Sequence, residues 1–169
     1  FCEARRLCRS APEQISIVIN RESIVHSLVE YRDGAVLAQL GVPDMRIPIQ
    51  LALTYPHRQE NPAQALDLLS CGPLTFAAPD LDTFPCLGLA MDAARVGGTA
   101  CAILNGANEV AAAAYLRDKI GFYDISDGIS AALDQVPAVQ DTSLEAALDA
   151  DRQARAAVED YYRRIGKVI

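Results

Sequence analysis

Residues 24–45, IVHSLVEYRDGAVLAQLGVPDM, combine the pattern of a β-hairpin with a sharp corner and the beginning of a helix. Two apolar runs flank Asp33-Gly34, and this dipeptide is typical of a tight hairpin turn because glycine takes the positive φ that such a turn needs. The pattern therefore predicts two antiparallel strands, at 24–31 and 35–40.

The corner after the hairpin is the second feature of this stretch. Gly41-Val42-Pro43 interrupts the second strand, and Asp44 is a good N-cap residue. We therefore expect a helix from Met45 to about Thr54, which Tyr55-Pro56 ends.

Neither face of the first predicted strand is cleanly polar. A sheet rarely leaves such a face in water, so we expect both faces to be covered, one by helices and the other by a partner subunit. This predicts a homodimer formed through the hairpin sheet. The alternating positions are Ile24, His26, Leu28 and Glu30 on one face, and Val25, Ser27, Val29 and Tyr31 on the other.

Shorter patterns surround the hairpin. They predict the tail of an amphipathic helix at residues 1–9, a buried strand at Ile15–Ile19, a short helix at Ala63–Leu69 and a short strand at Leu74–Ala77.

From Asp82 onward the sequence predicts four helices. They are a helix at 84–96, a helix at 99–120 with Gly121 as its C-cap, a third helix capped by Asp124, and a long fourth helix opened by the capping box Thr142-x-x-Glu145. The third helix should turn Ile125, Ile129, Leu133 and Val136 inward. The predicted apolar stripe of the fourth comprises Leu144, Leu148, Ala154, Val158, Tyr161 and Ile165.

These elements predict an α+β chain. A small sheet with a β-hairpin and flanking helices occupies residues 1–78, and an α-helical bundle of about four helices occupies residues 79–169. Residues 56–81 connect the two parts.

Composition narrows the function classes. The 169 residues carry a net charge of −7, which argues against nucleic-acid binding. The five cysteines show no C-x-x-C pair, which is typical of free thiols in a reducing cytosol, and we expect a bacterial cytoplasmic protein. No apolar run approaches the ~20 residues of a membrane helix. The first residue is Phe1 rather than methionine, and we expect a chain truncated from a longer protein.

Two candidate binding residues belong to the hairpin and its corner. His26 could carry a proton or contact a ligand, or it could be a half-buried histidine bonded to a backbone carbonyl. Pro43-Asp44-Met45 could form an apolar wall against a flat cofactor ring, or simply a helix cap followed by a core methionine. No glycine-rich phosphate loop accompanies them.

Other polar groups suggest structure rather than chemistry. Asn105, Asn108 and Glu109 share one helix face and could bind a ligand, although a polar network between helices is the more common role. Glu3 and Arg5 could border a site or form an ordinary ion pair. The mixed charges of the last helix are typical of a solvated face.

Several short motifs, in order, resemble the 1-deoxy-D-xylulose-5-phosphate reductoisomerase family across nearly the whole chain. They are Glu3-Ala4-Arg5, Ser23-Ile24-Val25-His26-Ser27, Asp33-Gly34, Leu37-Ala38-Gln39-Leu40-Gly41, Pro43-Asp44-Met45-Arg46, Leu74-Thr75-Phe76, Phe84-Pro85-Cys86-Leu87 and Leu104-Asn105-Gly106-Ala107-Asn108-Glu109.

The resemblance implies three domains, of which this chain would hold the latter part of the catalytic and dimerisation domain and the C-terminal helical domain. The N-terminal NADPH-binding domain would be absent. The catalytic residues and the ligands of Mg²⁺ or Mn²⁺ would precede Phe1, so this chain would contain none of them. Pro43 and Met45 match positions lining the nicotinamide and substrate side of the pocket, and His26 matches a histidine near, but not inside, the metal site.

The implied reaction rearranges 1-deoxy-D-xylulose 5-phosphate and reduces the product with NADPH to 2-C-methyl-D-erythritol 4-phosphate in non-mevalonate isoprenoid biosynthesis. We expect the chain alone to be an inactive portion of this enzyme. The alternative is a standalone, non-catalytic dimerisation module.

Overall fold

The computed structural model describes residues 2–169, with the side chains at positions 2, 3 and 6 left out. Its contacts divide the chain into two compact units. The hairpin unit comprises residues 17–79, and the helical unit comprises residues 2–16 together with 80–169. The predicted α+β class is confirmed, whereas the predicted boundary at residue 78 concerns enzyme domains and stays a prediction.

The described elements follow one another as helix, hairpin and helices. They are α1 (Cys2–Cys8), a 3-10 turn (Pro12–Gln14), β1 (Val25–Glu30), β2 (Val36–Leu40), α2 (Arg46–Thr54), α3 (Pro85–Val96), α4 (Ala100–Leu116), α5 (Phe122–Gln135) and α6 (Leu144–Arg164). Of the predicted first helix, Phe1 lies outside the described residues.

The hairpin forms where the Asp33-Gly34 pattern predicts it. Gly34 has a φ of 84° and donates its N–H to the Tyr31 carbonyl, and Tyr31 donates to the Ala35 carbonyl, so a short turn joins the strands. Beyond Val25 and Leu40 the strand residues are exposed. The described residues therefore do not supply the expected cover for the two faces of the sheet.

A β-bulge interrupts the hairpin at His26. Val25 pairs with Leu40 and Ser27 pairs with Gln39, so His26 is an extra residue with no partner of its own. The simple alternation predicted for β1 is therefore wrong at this point, because a bulge shifts the side chains on either side of it.

Three other predictions for the first half of the chain are wrong. Residues 15–19 form no strand, and their one ladder contact is the isolated bridge between Ile19 and Ala77, which also replaces the strand predicted at 74–77. The helix predicted at 63–69 is absent from this described segment. There, Asn61 and Asp67 accept hydrogen bonds from nearby backbone N–H groups and stabilise turns instead.

The helical unit is the predicted bundle. Helix α4 packs against α3, α5 and α6. The core of the helical unit is built from alanines and a few larger residues. The largest fully buried side chains are those of Tyr162, Ile103, Ile129 and Val158. The Tyr162 hydroxyl donates to the Asp124 carbonyl at 2.8 Å, and burial raises the pKa of this phenol.

Three caps predicted in the helical unit differ from the observed ones, and one of them is Asp124, which lies in the first turn of α5 rather than at its N-cap. Helix α4 ends at Leu116, so Gly121 is not its C-cap but the N-cap of α5, where it donates its N–H to Asp124 at 2.6 Å. Helix α6 is capped by Ser143 rather than Thr142, and the Ser143 hydroxyl accepts from Ala146 N–H.

The predicted inward residues of α5 are confirmed, but the predicted stripe of α6 is partly wrong. Leu144, Leu148 and Ile165 are exposed, and the buried face consists of Ala150, Ala154, Ala157, Val158 and Tyr162. The cause is the close approach of α4, since a Cβ atom on Gly106 would lie 3.0 Å from the Asp151 backbone oxygen. Only small residues fit at this crossing.

Candidate functional site: a cavity at the hairpin corner

The bulge gives His26 its position in the candidate site. Its Nε2 lies 3.2 Å from the Gly41 carbonyl oxygen, which joins the start of β1 to the residue that follows β2. A carbonyl only accepts hydrogen bonds, so this contact requires Nε2 to carry a hydrogen. The alternative that His26 bonds to a backbone carbonyl is therefore confirmed, although the residue is exposed rather than half-buried.

The corner after β2 is held by an ion pair around Met45. Asp44 accepts two hydrogen bonds from the Arg46 side chain, from Nε at 3.0 Å and Nη2 at 2.5 Å, and one from the Arg46 backbone N–H at 2.9 Å. The Arg46 guanidinium lowers the pKa of the Asp44 carboxyl, which therefore stays ionised at neutral pH. By secondary structure Met45 is the N-cap residue of α2, one position after the predicted Asp44.

Met45 projects from this corner with 70% of its surface exposed. The corner holds the methionine from both sides, because Asp44 and Arg46 are bonded to each other across it. The prediction of a core methionine is therefore wrong. An exposed thioether next to a rigid proline is an apolar surface available to a ligand.

A cavity of about 650 Å³ lies against this corner. Its volume is within the range of small-molecule sites, about 300–1,000 Å³, and most of its lining is apolar, as is usual for such sites. The lining residues are His26, Gln39, Gly41, Val42, Pro43, Asp44, Met45, Ile47, Pro48, Leu51 and Arg58.

The structure thus places His26, Pro43 and Met45, the three predicted site residues, around one cavity. Sequence reasoning missed Gln39, Leu51 and Arg58. The spacing of Ile47 and Leu51 on α2 is the one available signal, since residues four apart share a helix face.

Two residues of the polar cluster on α4, Asn105 and Glu109, have a structural role. Asn105 donates to Glu109 at 3.2 Å, and Glu109 pairs with Arg155, which also binds Asp151 on α6 at 2.8 Å. This network joins α4 to α6, as the more common role predicted. These hydrogen bonds and Arg155 together lower the pKa of Glu109.

For the two candidate site residues at the start of the chain, Glu3 and Arg5, the structure indicates a structural role for Arg5. Arg5 donates from Nη1 to the Ala94 carbonyl at 2.9 Å and so attaches α1 to α3. The side chain of Glu3 lies outside the described residues. In the last helix, exposed pairs such as Arg152 with Asp149 confirm the solvated face.

The chemistry of the described side chains indicates which kind of cofactor they could hold. An apolar wall formed by Pro43 and Met45 suits a flat ring. By contrast, no cluster of three or more His, Cys, Asp or Glu side chains occurs among the described residues, so they do not by themselves fit a divalent metal. In the same part of the chain, no helix is long and apolar enough to span a membrane.

The chain is similar to one family of enzymes in sequence and in structure. The family model for the DXP reductoisomerase C-terminal domain matches residues 40–157. The 1-deoxy-D-xylulose 5-phosphate reductoisomerase of Acetivibrio thermocellus is 47% identical over 158 residues, which are 94% of this chain and 42% of that protein. The Ectopseudomonas mendocina protein of the same name is 49% identical over 162 residues, 96% of this chain and 41% of that protein.

Solved structures give the same result. The Zymomonas mobilis reductoisomerase in complex with NADPH matches with a TM-score of 0.87 and 42% identity, covering 94% of this chain and 42% of that one. A DOX-P reductoisomerase in complex with NADPH, fosmidomycin and magnesium matches with a TM-score of 0.90 and 43% identity, covering 97% and 42%. The chain therefore spans about two-fifths of the length of these relatives.

Proposed function

Because the chain belongs to the 1-deoxy-D-xylulose 5-phosphate reductoisomerase family, we propose that it is a portion of an enzyme that converts 1-deoxy-D-xylulose 5-phosphate to 2-C-methyl-D-erythritol 4-phosphate. The reaction rearranges the carbon skeleton and then reduces it with NADPH. The observation that carries this proposal is the cavity in which His26, Pro43 and Met45 converge.

Within that cavity, Pro43 and Met45 form the wall against which the nicotinamide ring and the substrate lie. When bound, NADPH supplies the hydride for the reduction. The exposed Met45 thioether excludes water from the face of the ring and adapts to its shape, since methionine is flexible and polarisable.

His26, Asp44 and Arg46 act as positioning residues. The Asp44–Arg46 pair fixes the backbone on both sides of Met45, and the His26 contact with the Gly41 carbonyl fixes the corner relative to β1. Holding a reactant within a few tenths of an ångström of its productive position lowers the barrier by avoiding entropic cost at the moment of reaction.

The remaining catalytic groups lie outside these 169 residues under this proposal. As the resemblance implies, the ligands of Mg²⁺ or Mn²⁺ belong to a portion of the enzyme that precedes Phe1. The 169 residues alone are therefore expected to have no activity.

The hairpin sheet is the proposed surface for a second subunit. Leu37, Val36 and Val29 are more than half exposed, and an apolar two-stranded sheet is seldom stable when bare. Sedimentation of the chain at micromolar concentration should show a dimer. A strictly monomeric mass would contradict this part of the proposal.

A chimera tests the catalytic proposal. The matching 158 residues of the Acetivibrio thermocellus enzyme are replaced by this chain, and NADPH oxidation is followed with 1-deoxy-D-xylulose 5-phosphate as substrate. The chimera should be active. Met45→Ala should lower its kcat/KM by about tenfold, the effect of losing about 1.4 kcal/mol of contact with the reacting groups.

The matched control is Leu53→Ala, which truncates a similarly exposed apolar residue of α2 that does not line the cavity. It should leave kcat/KM unchanged. A chimera that folds, as judged by circular dichroism, but does not oxidise NADPH would refute the proposal. Equal losses in the two variants would refute the role of Met45.

A further inference from the structure

A second cavity lies within the helical unit, between the end of α1 and the turn that joins α3 to α4. Its volume is about 360 Å³. It is lined by Arg5, Arg9, Ser10, Gly97, Gly98, Cys101 and Thr142.

The charge of this cavity is opposite to that of the chain. Two of its lining residues, Arg5 and Arg9, are cations and none is an acid, whereas the whole chain carries a net charge of −7. Among the ion pairs of the described side chains, neither arginine has a carboxylate partner. Two guanidinium groups near one cavity, with no carboxylate among the described side chains that line it, favour an anionic ligand.

The fold places Arg5 through a tertiary hydrogen bond, whereas Arg9 is placed only by its position at the end of α1. Arg5 is held by its Nη1 hydrogen bond to the Ala94 carbonyl, which leaves its other N–H groups available. Arg9 follows the last residue of α1 with a φ of 52° and is exposed.

The wall of the cavity that Gly97 and Gly98 form is fixed by the packing of the turn. Thr99 N–H donates to the Val139 carbonyl at 2.9 Å, and the Thr99 hydroxyl accepts from Val139 N–H at 3.0 Å. Gly98 precedes Thr99 and lies so close to Val139 that a Cβ atom on Gly98 would be 2.0 Å from the Val139 carbonyl oxygen. The φ of Gly98 is 51°. This packing leaves the wall little freedom to fill the cavity.

We propose that this cavity binds the phosphate group of a small phosphate ester. A phosphate monoester is close to a dianion at neutral pH, which matches two cations, and its oxygens accept bidentate hydrogen bonds from guanidinium groups. The hydroxyl of Thr142 is an additional donor, whereas the Ser10 hydroxyl donates to the Cys8 carbonyl at 3.5 Å. The volume exceeds that of a lone phosphate, so the ester carries a small organic group.

Titration of the 169-residue chain tests this proposal. Inorganic phosphate, ribose 5-phosphate and acetate are added at constant ionic strength while the amide signals of Gly97, Gly98 and Thr142 are followed by NMR. Both phosphates should shift these signals saturably, with ribose 5-phosphate the tighter ligand, and acetate should not. Arg9→Gln should weaken the binding of ribose 5-phosphate by about tenfold, or about 1.4 kcal/mol.

Arg117→Gln is the matched control, because Arg117 is an exposed cation at the other end of α4. It should leave binding unchanged. Arg5→Lys provides a second variant that keeps the charge near Ala94 but loses the planar fork, and it should weaken binding severalfold while the fold is retained. Acetate binding as tight as phosphate, equal effects of the Arg9 and Arg117 variants, or no saturation by about 20 mM would each overturn the proposal.

Discussion

The helical unit and the hairpin unit place their apolar side chains in opposite ways. In the helical unit, Ile103, Ile129, Val158 and Tyr162 are almost fully buried in one shared core. In the hairpin unit only Ile24 is buried among the apolar residues, and large side chains such as Leu37 and Met45 face outward.

This difference indicates that one unit provides most of the stability and the other provides apolar surface for contacts. Burial of apolar surface is the main favourable term in folding, so the free energy of unfolding comes mostly from the helical unit. The exposed apolar residues of the hairpin unit contribute little to the stability of the chain and are available for contact with a ligand or a second subunit. Matched substitutions in the two units can test whether stability comes mainly from the helical unit.

The largest effect should come from truncating the helical core. Ile103→Ala removes a side chain that is 1% exposed and should lower the free energy of unfolding by about 3 kcal/mol, through lost burial and a cavity. Urea unfolding followed by far-UV circular dichroism measures this loss.

Its counterpart in the hairpin unit is Leu37→Ala. Because Leu37 is 61% exposed in the single chain, the same measurement should change by less than about 0.5 kcal/mol when it is made at a concentration low enough for the chain to be monomeric. A loss for Leu37→Ala as large as that for Ile103→Ala would show that the hairpin contributes to the same cooperative core.

Two helical glycines provide a finer test of packing within the helical unit. In α5, a Cβ atom on Gly128 would lie 2.8 Å from Cζ of the buried Tyr162 ring, so Gly128→Ala should lower the free energy of unfolding by about 2 kcal/mol. In α3, Gly88 has open space around it, and Gly88→Ala should raise the stability by about 0.8 kcal/mol through helix propensity.

Both changes add one methyl group to a helix, yet they should change the free energy of unfolding in opposite directions. Thermal or urea unfolding of the two variants measures them. Stabilisation by Gly128→Ala would mean that the contact between α5 and α6 can move apart without cost.

Local signals in the sequence predicted much of this fold. The Asp33-Gly34 turn, Pro85 at the start of α3 and the apolar spacing of α5 each act within a few residues, and each led to a correct element. Failures came where distant contacts decide the outcome. The run at 15–19 has β-branched residues but gains only a single bridge, to Ala77, and a strand needs a longer partner.

The stripe of α6 shows the same limit. Hydrophobicity favours Leu144 and Leu148 as core residues over alanine, yet the alanines face inward because α4 approaches closely at Gly106. No feature of the α6 sequence alone indicates how closely α4 approaches it.

The candidate site was predictable in part. The resemblance marked His26, Pro43 and Met45, and all three line one cavity. The bulge that sets the position of His26 depends on pairing across the hairpin, and the contribution of Arg58 depends on how the segment after α2 returns to the corner. Neither follows from spacing along the chain.

A smaller loss than those of Ile103→Ala and Gly128→Ala is expected for an aspartate of the helical unit, which is compared with an aspartate of the hairpin unit. In the helical unit Asp124 pairs with Lys167 and accepts from Gly121 N–H, so it ties the start of α5 to the end of α6. Lys167 and this N–H lower the pKa of Asp124 in the folded state. The unfolded chain therefore takes up a proton first as the pH falls, and the stabilisation present at neutral pH is lost in acid, below the ordinary aspartate pKa of about 3.9.

Asp124→Asn should therefore lower the free energy of unfolding by about 1 kcal/mol at pH 7 and by less at pH 3. Asp44→Asn is the matched change in the hairpin unit, where the pair with Arg46 spans only three residues. It should leave the unfolding of the helices unchanged at both pH values, because a bond within one turn restrains only that corner. Urea titrations at pH 7 and pH 3 measure both variants. An equal loss at the two pH values for Asp124→Asn would show that the ionised carboxylate is not what joins α5 to α6, leaving the buried Tyr162 hydroxyl, which donates to the Asp124 carbonyl, as the polar tie between them.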